Sequence, residues 1–96
     1  MFYVYVLQSL RTKELYTGYT SNLKKRLEEH NCSRNISTKH AIPWKLIYYE
    51  ACLNILDAKR REKYLKTSQG IKLMQRRLKE YFYSYKYRVS TAGEKS

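Results

Sequence analysis

The run Phe2-Tyr3-Val4-Tyr5-Val6-Leu7-Gln8 constrains the fold more than any other stretch of the chain. It is aromatic or β-branched almost throughout and apolar on both faces, with Tyr3, Tyr5 and Leu7 on one and Phe2, Val4 and Val6 on the other. A strand of that kind has to be covered on both sides, so it belongs at the centre of a sheet. Polar residues from Arg11 to Glu14 separate it from Leu15-Tyr16-Thr17-Gly18-Tyr19-Thr20, and the two runs read as a hairpin. Gly18 marks a point where the backbone turns sharply or must approach something closely.

Ser21 or Asn22 supplies the N-cap of a helix that follows. Leu23 and Leu27, four apart, dock that helix on the sheet, and Asn22, Arg26 and His30 form a second, polar row at the same spacing. Cys32 to Pro43 reads as a basic loop, and Trp44 to Ala51 as a third strand. Asn54 caps a second helix, with Asp57 as its capping-box partner. Thr67-Ser68-Gln69-Gly70 breaks this helix from a third over Ile71 to Tyr83, and the polar end from Ser90 to Ser96 is expected to fray.

Charge narrows the function. The 96 residues hold 20 Lys+Arg against 8 Asp+Glu, a net charge of +12, and a field that strong on one small domain selects polyanionic partners, nucleic acid first. No apolar run approaches the ~18 residues of a membrane span. The chain opens into its first strand without a basic leader, which points to the cytoplasm. Cys32 and Cys52 form no CxxC pair, and with His30 and His40 they complete no zinc pattern. Two reduced thiols are the expectation, a single disulfide the alternative.

The segment from Lys59 to Lys79 carries nine basic residues and a single acid, Glu62. On a helical wheel Glu62 falls between Ile55 and Ala58, close to Leu65, on the stripe that should face the sheet. A carboxylate there is costly unless it is paired, hydrogen-bonded or coordinating a cation. An ion pair with Lys59, Lys63 or Lys66 and a divalent-cation site both satisfy that demand, and spacing alone does not choose.

Tyr3-Val4-Tyr5, then Tyr16-Thr17-Gly18, then the helix from Gly18 to Leu27 with Arg26, then Ala58-Lys59-Arg60-Arg61-Glu62-Lys63 occur in that order. At these spacings the chain resembles the GIY-YIG nuclease superfamily, specifically its short single-domain bacterial members, which are similar to the N-terminal nuclease domain of bacterial excinuclease. The resemblance covers about Phe2 to Leu78. It implies an α+β fold, a small α/β sandwich with a three-stranded antiparallel sheet in the element order β-β-α-β-α-α and helices packed around it. On this basis residues 1–83 form the nuclease-like domain and 84–96 a basic, polar tail.

The resemblance also implies chemistry: phosphodiester hydrolysis with one Mg²⁺ or Mn²⁺. Tyr5 is then the general base, Tyr16 orients water or phosphate, Arg26 neutralises charge on the non-bridging oxygens, His30 relays a proton, and Glu62 holds the metal. As a base, Tyr5 would need its pKa lowered from about 10 by nearby cations. Three departures stand out. The first motif begins with Tyr3 rather than glycine, Tyr19 stands where some relatives have lysine, and no asparagine follows the glutamate helix in the way some members have it.

Lys24, Lys25, Arg60, Arg61, Lys63 and Lys66 are the candidate phosphate contacts, with Lys39 and the Ser37-Thr38 pair at the groove edge. The expected substrate is DNA, including branched, nicked or flapped forms, in repair or recombination, with binding that tolerates sequence and falls steeply with salt. The competing reading is a non-catalytic module for DNA, RNA or single strands, or one targeted component of a larger complex, working with a protein partner or a second copy. A carboxylate in a cationic groove favours catalysis over mere binding. A membrane role is weakened because no helix pairs a large apolar face with the charge.

Overall fold

In the computed structural model, residues 1–32 and 35–84 are described. Strand β1 (Phe2–Ser9) lies between β2 (Leu15–Thr20) and β3 (Trp44–Cys52) in an antiparallel sheet of order β2-β1-β3, so the doubly apolar run is the central strand. Val4 to Leu7 are almost fully buried. The β1–β2 hairpin closes through a turn in which Lys13 takes a left-handed conformation, φ 69°. Ser9 braces it, its hydroxyl accepting from the amides of Arg11 and Thr12 while donating to the Ala41 carbonyl.

Helix α1 (Leu23–Asn31) starts at Asn22, whose side chain accepts from the Lys25 amide at 3.1 Å. Leu23 and Leu27 pack against a core cluster of Tyr5, Leu7, Ala41 and Trp44. The helix end is pinned to β3 by Asn31, which accepts from the Trp44 amide at 2.6 Å and donates to the Trp44 carbonyl at 3.0 Å. Towards the end of the basic loop, a 3-10 turn over Lys39–Ala41 precedes a cis Ile42–Pro43 bond.

Pairing between β1 and β3 slips between Val6 and Leu7, opposing Val6 to Tyr48 but Leu7 to Leu46. The extra residue reverses the alternation beyond it. Trp44 and Leu46 thereby join Tyr5 and Leu7 on the α1 face, where an unslipped strand would have presented Lys45. This bulge puts an indole beneath the site described below.

Helix α2 (Ile55–Leu65) begins after Asn54, whose side chain accepts from the Leu56 amide at 2.8 Å. Asp57 binds Arg60 of the next turn rather than closing a capping box. The chain separates into two compact units, residues 1–64 and 65–96. In the second, α3 (Ser68–Arg77) starts three residues before the expected Ile71, because Thr67 is a cap rather than a breaker and accepts from the Gly70 amide at 3.1 Å. Gly70 and Met74 are buried on one face of α3. A turn at Leu78 then leads into a further helix over residues 79–84, where the sequence predicts one continuous helix. The expected fraying at Ser90 to Ser96 and the Tyr85 to Arg88 stretch lie outside the described residues. Among the described residues, no helix is long and apolar enough to cross a membrane.

Candidate active site

Four of the five predicted catalytic side chains meet where α1 crosses the sheet. Tyr5 projects from the middle of β1 directly opposite Gly18 of β2. A Cβ built on Gly18 would lie 2.5 Å from the Tyr5 hydroxyl oxygen and 2.8 Å from Cζ, so the glycine is there for a close approach, not a turn. With that space left open, the Tyr5 ring lies flat across β2 and carries its hydroxyl to the polar row of α1.

There the hydroxyl oxygen meets His30 Nε2 at 2.9 Å and receives a longer contact from Arg26 Nε at 3.4 Å. His30 is completely buried, and its Nδ1 lies 2.9 Å from Thr38 Oγ1. Thr38 donates its own proton to the Asn35 carbonyl at 3.4 Å, so Oγ1 receives one from Nδ1. Nδ1 therefore carries the hydrogen, Nε2 is the acceptor, and Tyr5 donates to it. The line runs from Arg26 through Tyr5 and His30 to Thr38, with every donor facing an acceptor. Trp44 Nε1 donates to the Thr38 carbonyl at 2.8 Å and fixes the far end. Tyr16 closes the side, its ring 4.9 Å from His30, 6.4 Å from Tyr5 and 6.2 Å from Trp44.

Burial keeps Tyr5 and His30 neutral. It pushes the Tyr5 hydroxyl up to about 12, with the charges of Tyr16 and Glu62 acting in the same direction and Arg26 opposing. Burial also pushes His30 down to about 4, assisted by the Arg26 charge and opposed by Glu29. Because the unfolded histidine titrates near 6.5, the unfolded chain binds the extra proton between these two values. The neutral imidazole thus contributes stability that is complete above pH 6.5 and is lost as the pH falls towards 4, a change on the order of 2–3 kcal/mol. A proton NMR titration of the His30 ring should give a midpoint near 4. A midpoint above 6 would mean the ring is solvated.

Arg26 is held on two sides. Tyr5 and Glu29 both accept from it, the latter at 3.1 Å, and these bonds raise its pKa further, Tyr5 first. Arg26, Glu29 and Lys25 line one wall of an open cleft of about 460 Å³, with Tyr19, Thr20, Ser21 and Asn22 opposite. Glu62 sits half-buried on α2, near enough for its charge to act on Tyr5. Ala58 and Leu65 flank it as buried residues on the same helix.

The predicted phosphate contacts spread more widely. Lys24, Lys25, Lys39, Arg60, Lys63 and Lys66 are exposed, and Lys25 shares the cleft of Arg26. Arg61 is tied to Glu50 of β3 and lies over the Tyr64 ring. Arg60 and Arg61 both line a separate cleft of about 520 Å³, balanced there by Glu50 and Asp57. Thr38 is not at the groove edge; it is wholly buried beneath His30, because its hydroxyl serves the imidazole. Cys32 and Cys52 are free thiols. Sequence reasoning missed Glu29, although its i,i+3 spacing from Arg26 was a usable signal. It also missed the structural role of Thr38, for which the sequence offers none.

Two UPF0213 proteins of Streptococcus pyogenes, from serotypes M3 and M1, are each 49% identical over 49 residues, half of this chain and 52% of theirs. The chain thus spans about half the length of the curated relatives it matches. No solved structure matches. The family model for the GIY-YIG catalytic domain matches residues 1–75, which contain Tyr5, Tyr16, Arg26, His30 and Glu62, and the chain belongs to the GIY-YIG nuclease family.

Proposed function

We propose that the protein is a metal-dependent DNA endonuclease, selective for structure more than sequence, acting in repair or recombination. The observation that carries this reading is the directed line of hydrogen bonds from Arg26 through Tyr5 and His30 to Thr38, beside a polar cleft in a member of a nuclease family.

The donor set bears on the metal. Among the described residues, no group of three or more His, Cys, Asp or Glu gathers, so Glu62 would act with waters and substrate oxygens. That suits Mg²⁺ or Mn²⁺, since Mg²⁺ keeps most of its waters and takes one or two carboxylates. Held by Glu62, the ion would supply charge stabilisation at the leaving oxygen.

The remaining work falls to the protein. A phenol with a pKa near 12 is a poor free base at neutral pH, but it need never become a free phenolate. As water attacks phosphorus, its proton passes to the Tyr5 oxygen while the Tyr5 proton passes to His30 Nε2. Tyr5 ends neutral and His30 ends as imidazolium. A phosphate bound against Arg26 offsets one of the two causes that depress His30, and so raises its proton affinity at the moment it is needed. Arg26 directs its donors at the non-bridging oxygens, exchanging Glu29 for phosphate.

The test supplies labelled linear, nicked, flapped and four-way DNA, and RNA, with and without Mg²⁺ or Mn²⁺, to wild type, Glu62→Gln and Arg26→Ala. Wild type should cleave DNA only with the cation, and each variant should lose at least about 100-fold. Equal cleavage by all three, or none by wild type, sinks the reading; tight binding without cleavage identifies a binding module instead.

A further inference from the structure

Among the described residues, α1 packs on only part of its face of the sheet. Leu23 and Leu27 pack on the part that contains Leu7, Leu46 and Trp44. Beyond Tyr5 the same face continues to Tyr3, Tyr49 and Ala51, because Tyr5 pairs with Tyr49 and Tyr3 with Ala51. Here Tyr49 is 53% exposed, in the middle of a strand and directly across from the buried Tyr5. Its ring meets that of Tyr3 edge to face, with centroids 6.0 Å apart and planes at 67°. In that geometry the ring presenting its edge keeps both of its own faces clear of the other.

We propose that Tyr3 and Tyr49 form a stacking platform for an unpaired nucleobase of the DNA strand being cut. The inference rests on the nuclease reading and specifies which substrate the site selects. Continuity with the cleft supports it. Tyr3 pairs with Thr20 on the other side, and Thr20 lines the cleft that contains Arg26 and Lys25. Phosphate oxygens held by those cations leave the attached base beside the tyrosine pair. A base presents a π-face whatever its identity, so stacking here is tolerant of sequence. Inside a duplex the same base is occupied by its neighbours and partner, and must unstack to reach the platform. Flaps, gaps and frayed ends offer it without that cost.

The platform is tested without turnover. A flapped DNA, whose junction fixes the register, carries 2-aminopurine at successive positions of its short single-stranded arm and is titrated with the full chain in the absence of divalent cation. Wild type should quench the probe at a preferred position. Tyr49→Ala should abolish that quenching and weaken binding by about 5- to 100-fold, the range expected for one stacked base. Tyr49→Phe should behave as wild type, and an abasic residue at the preferred position should remove the difference between wild type and Tyr49→Ala. Fully paired duplex should bind wild type and Tyr49→Ala equally. Because Tyr49 is half-exposed, the alanine variant should melt close to wild type, which separates lost contact from lost fold. Uniform quenching, an equal loss on duplex and flapped DNA, or unchanged binding by Tyr49→Ala overturns the proposal. If stacking is observed and the cleavage assay fails, the nuclease reading falls and the platform stands; if wild type cleaves and Tyr49→Ala binds unchanged, the reverse holds.

Discussion

Gly18→Ala should inactivate the protein although the substituted residue touches no substrate. Its Cβ would stand 2.5 Å from the Tyr5 hydroxyl oxygen and 2.8 Å from Cζ, well inside van der Waals contact. A long flexible side chain would swing away. The Tyr5 ring cannot, since it is 2% exposed, bonded at its tip to His30 and flanked by Tyr16. Overpacking of this kind costs about 1–3 kcal/mol, and a displacement near 1 Å at a reacting group costs on the order of 100-fold in rate. Urea melts and single-turnover cleavage measure the two effects. A Tyr5→Leu background removes the clash, so the stability cost of Gly18→Ala should largely vanish there. If the cost persists, it comes from the β2 backbone and not from Tyr5.

Tyr5→Phe should have the other large effect, and it should not add to the loss caused by His30→Gln. Removing the hydroxyl takes away the proton path of the proposed mechanism and leaves His30 Nε2 buried without its donor, at about 1–3 kcal/mol. A drop of about 100- to 10,000-fold in kcat, with KM little changed, is expected for loss of a positioned acid–base group. The double variant should be no slower than the worse single variant, because both interrupt one relay. If the two losses multiply, Tyr5 and His30 act independently and the relay is wrong.

The sequence made some of this legible and hid the rest for identifiable reasons. The central strand was visible because seven residues of doubly apolar chain admit few other places, and Asn22 and Asn54 announced their helices through local capping chemistry. The row of Arg26 and His30 followed from helical spacing alone. Thr38 could not be found that way. Its bond to His30 spans eight residues through a loop whose composition reads as solvent-exposed, and it depends on the path taken by the chain around the 3-10 turn. Trp44 was hidden similarly, since its side of β3 is decided by a bulge and not by alternation. The neutral state of Tyr5 was equally out of reach. Eleven tyrosines look alike in sequence, and it is chiefly burial that pushes Tyr5 to about 12.

The Arg26–Glu29 pair has a consequence for selectivity among anions. A small monovalent ion meets a guanidinium already matched by a carboxylate, and offers nothing that Glu29 does not. Only a ligand bringing more charge, or more points of contact, displaces the glutamate. Chloride and simple carboxylic acids should therefore compete poorly for Arg26. A polymer whose next phosphate reaches Lys25 while the first reaches Arg26 should displace Glu29 more readily, so binding here should favour multivalent anions over free ions.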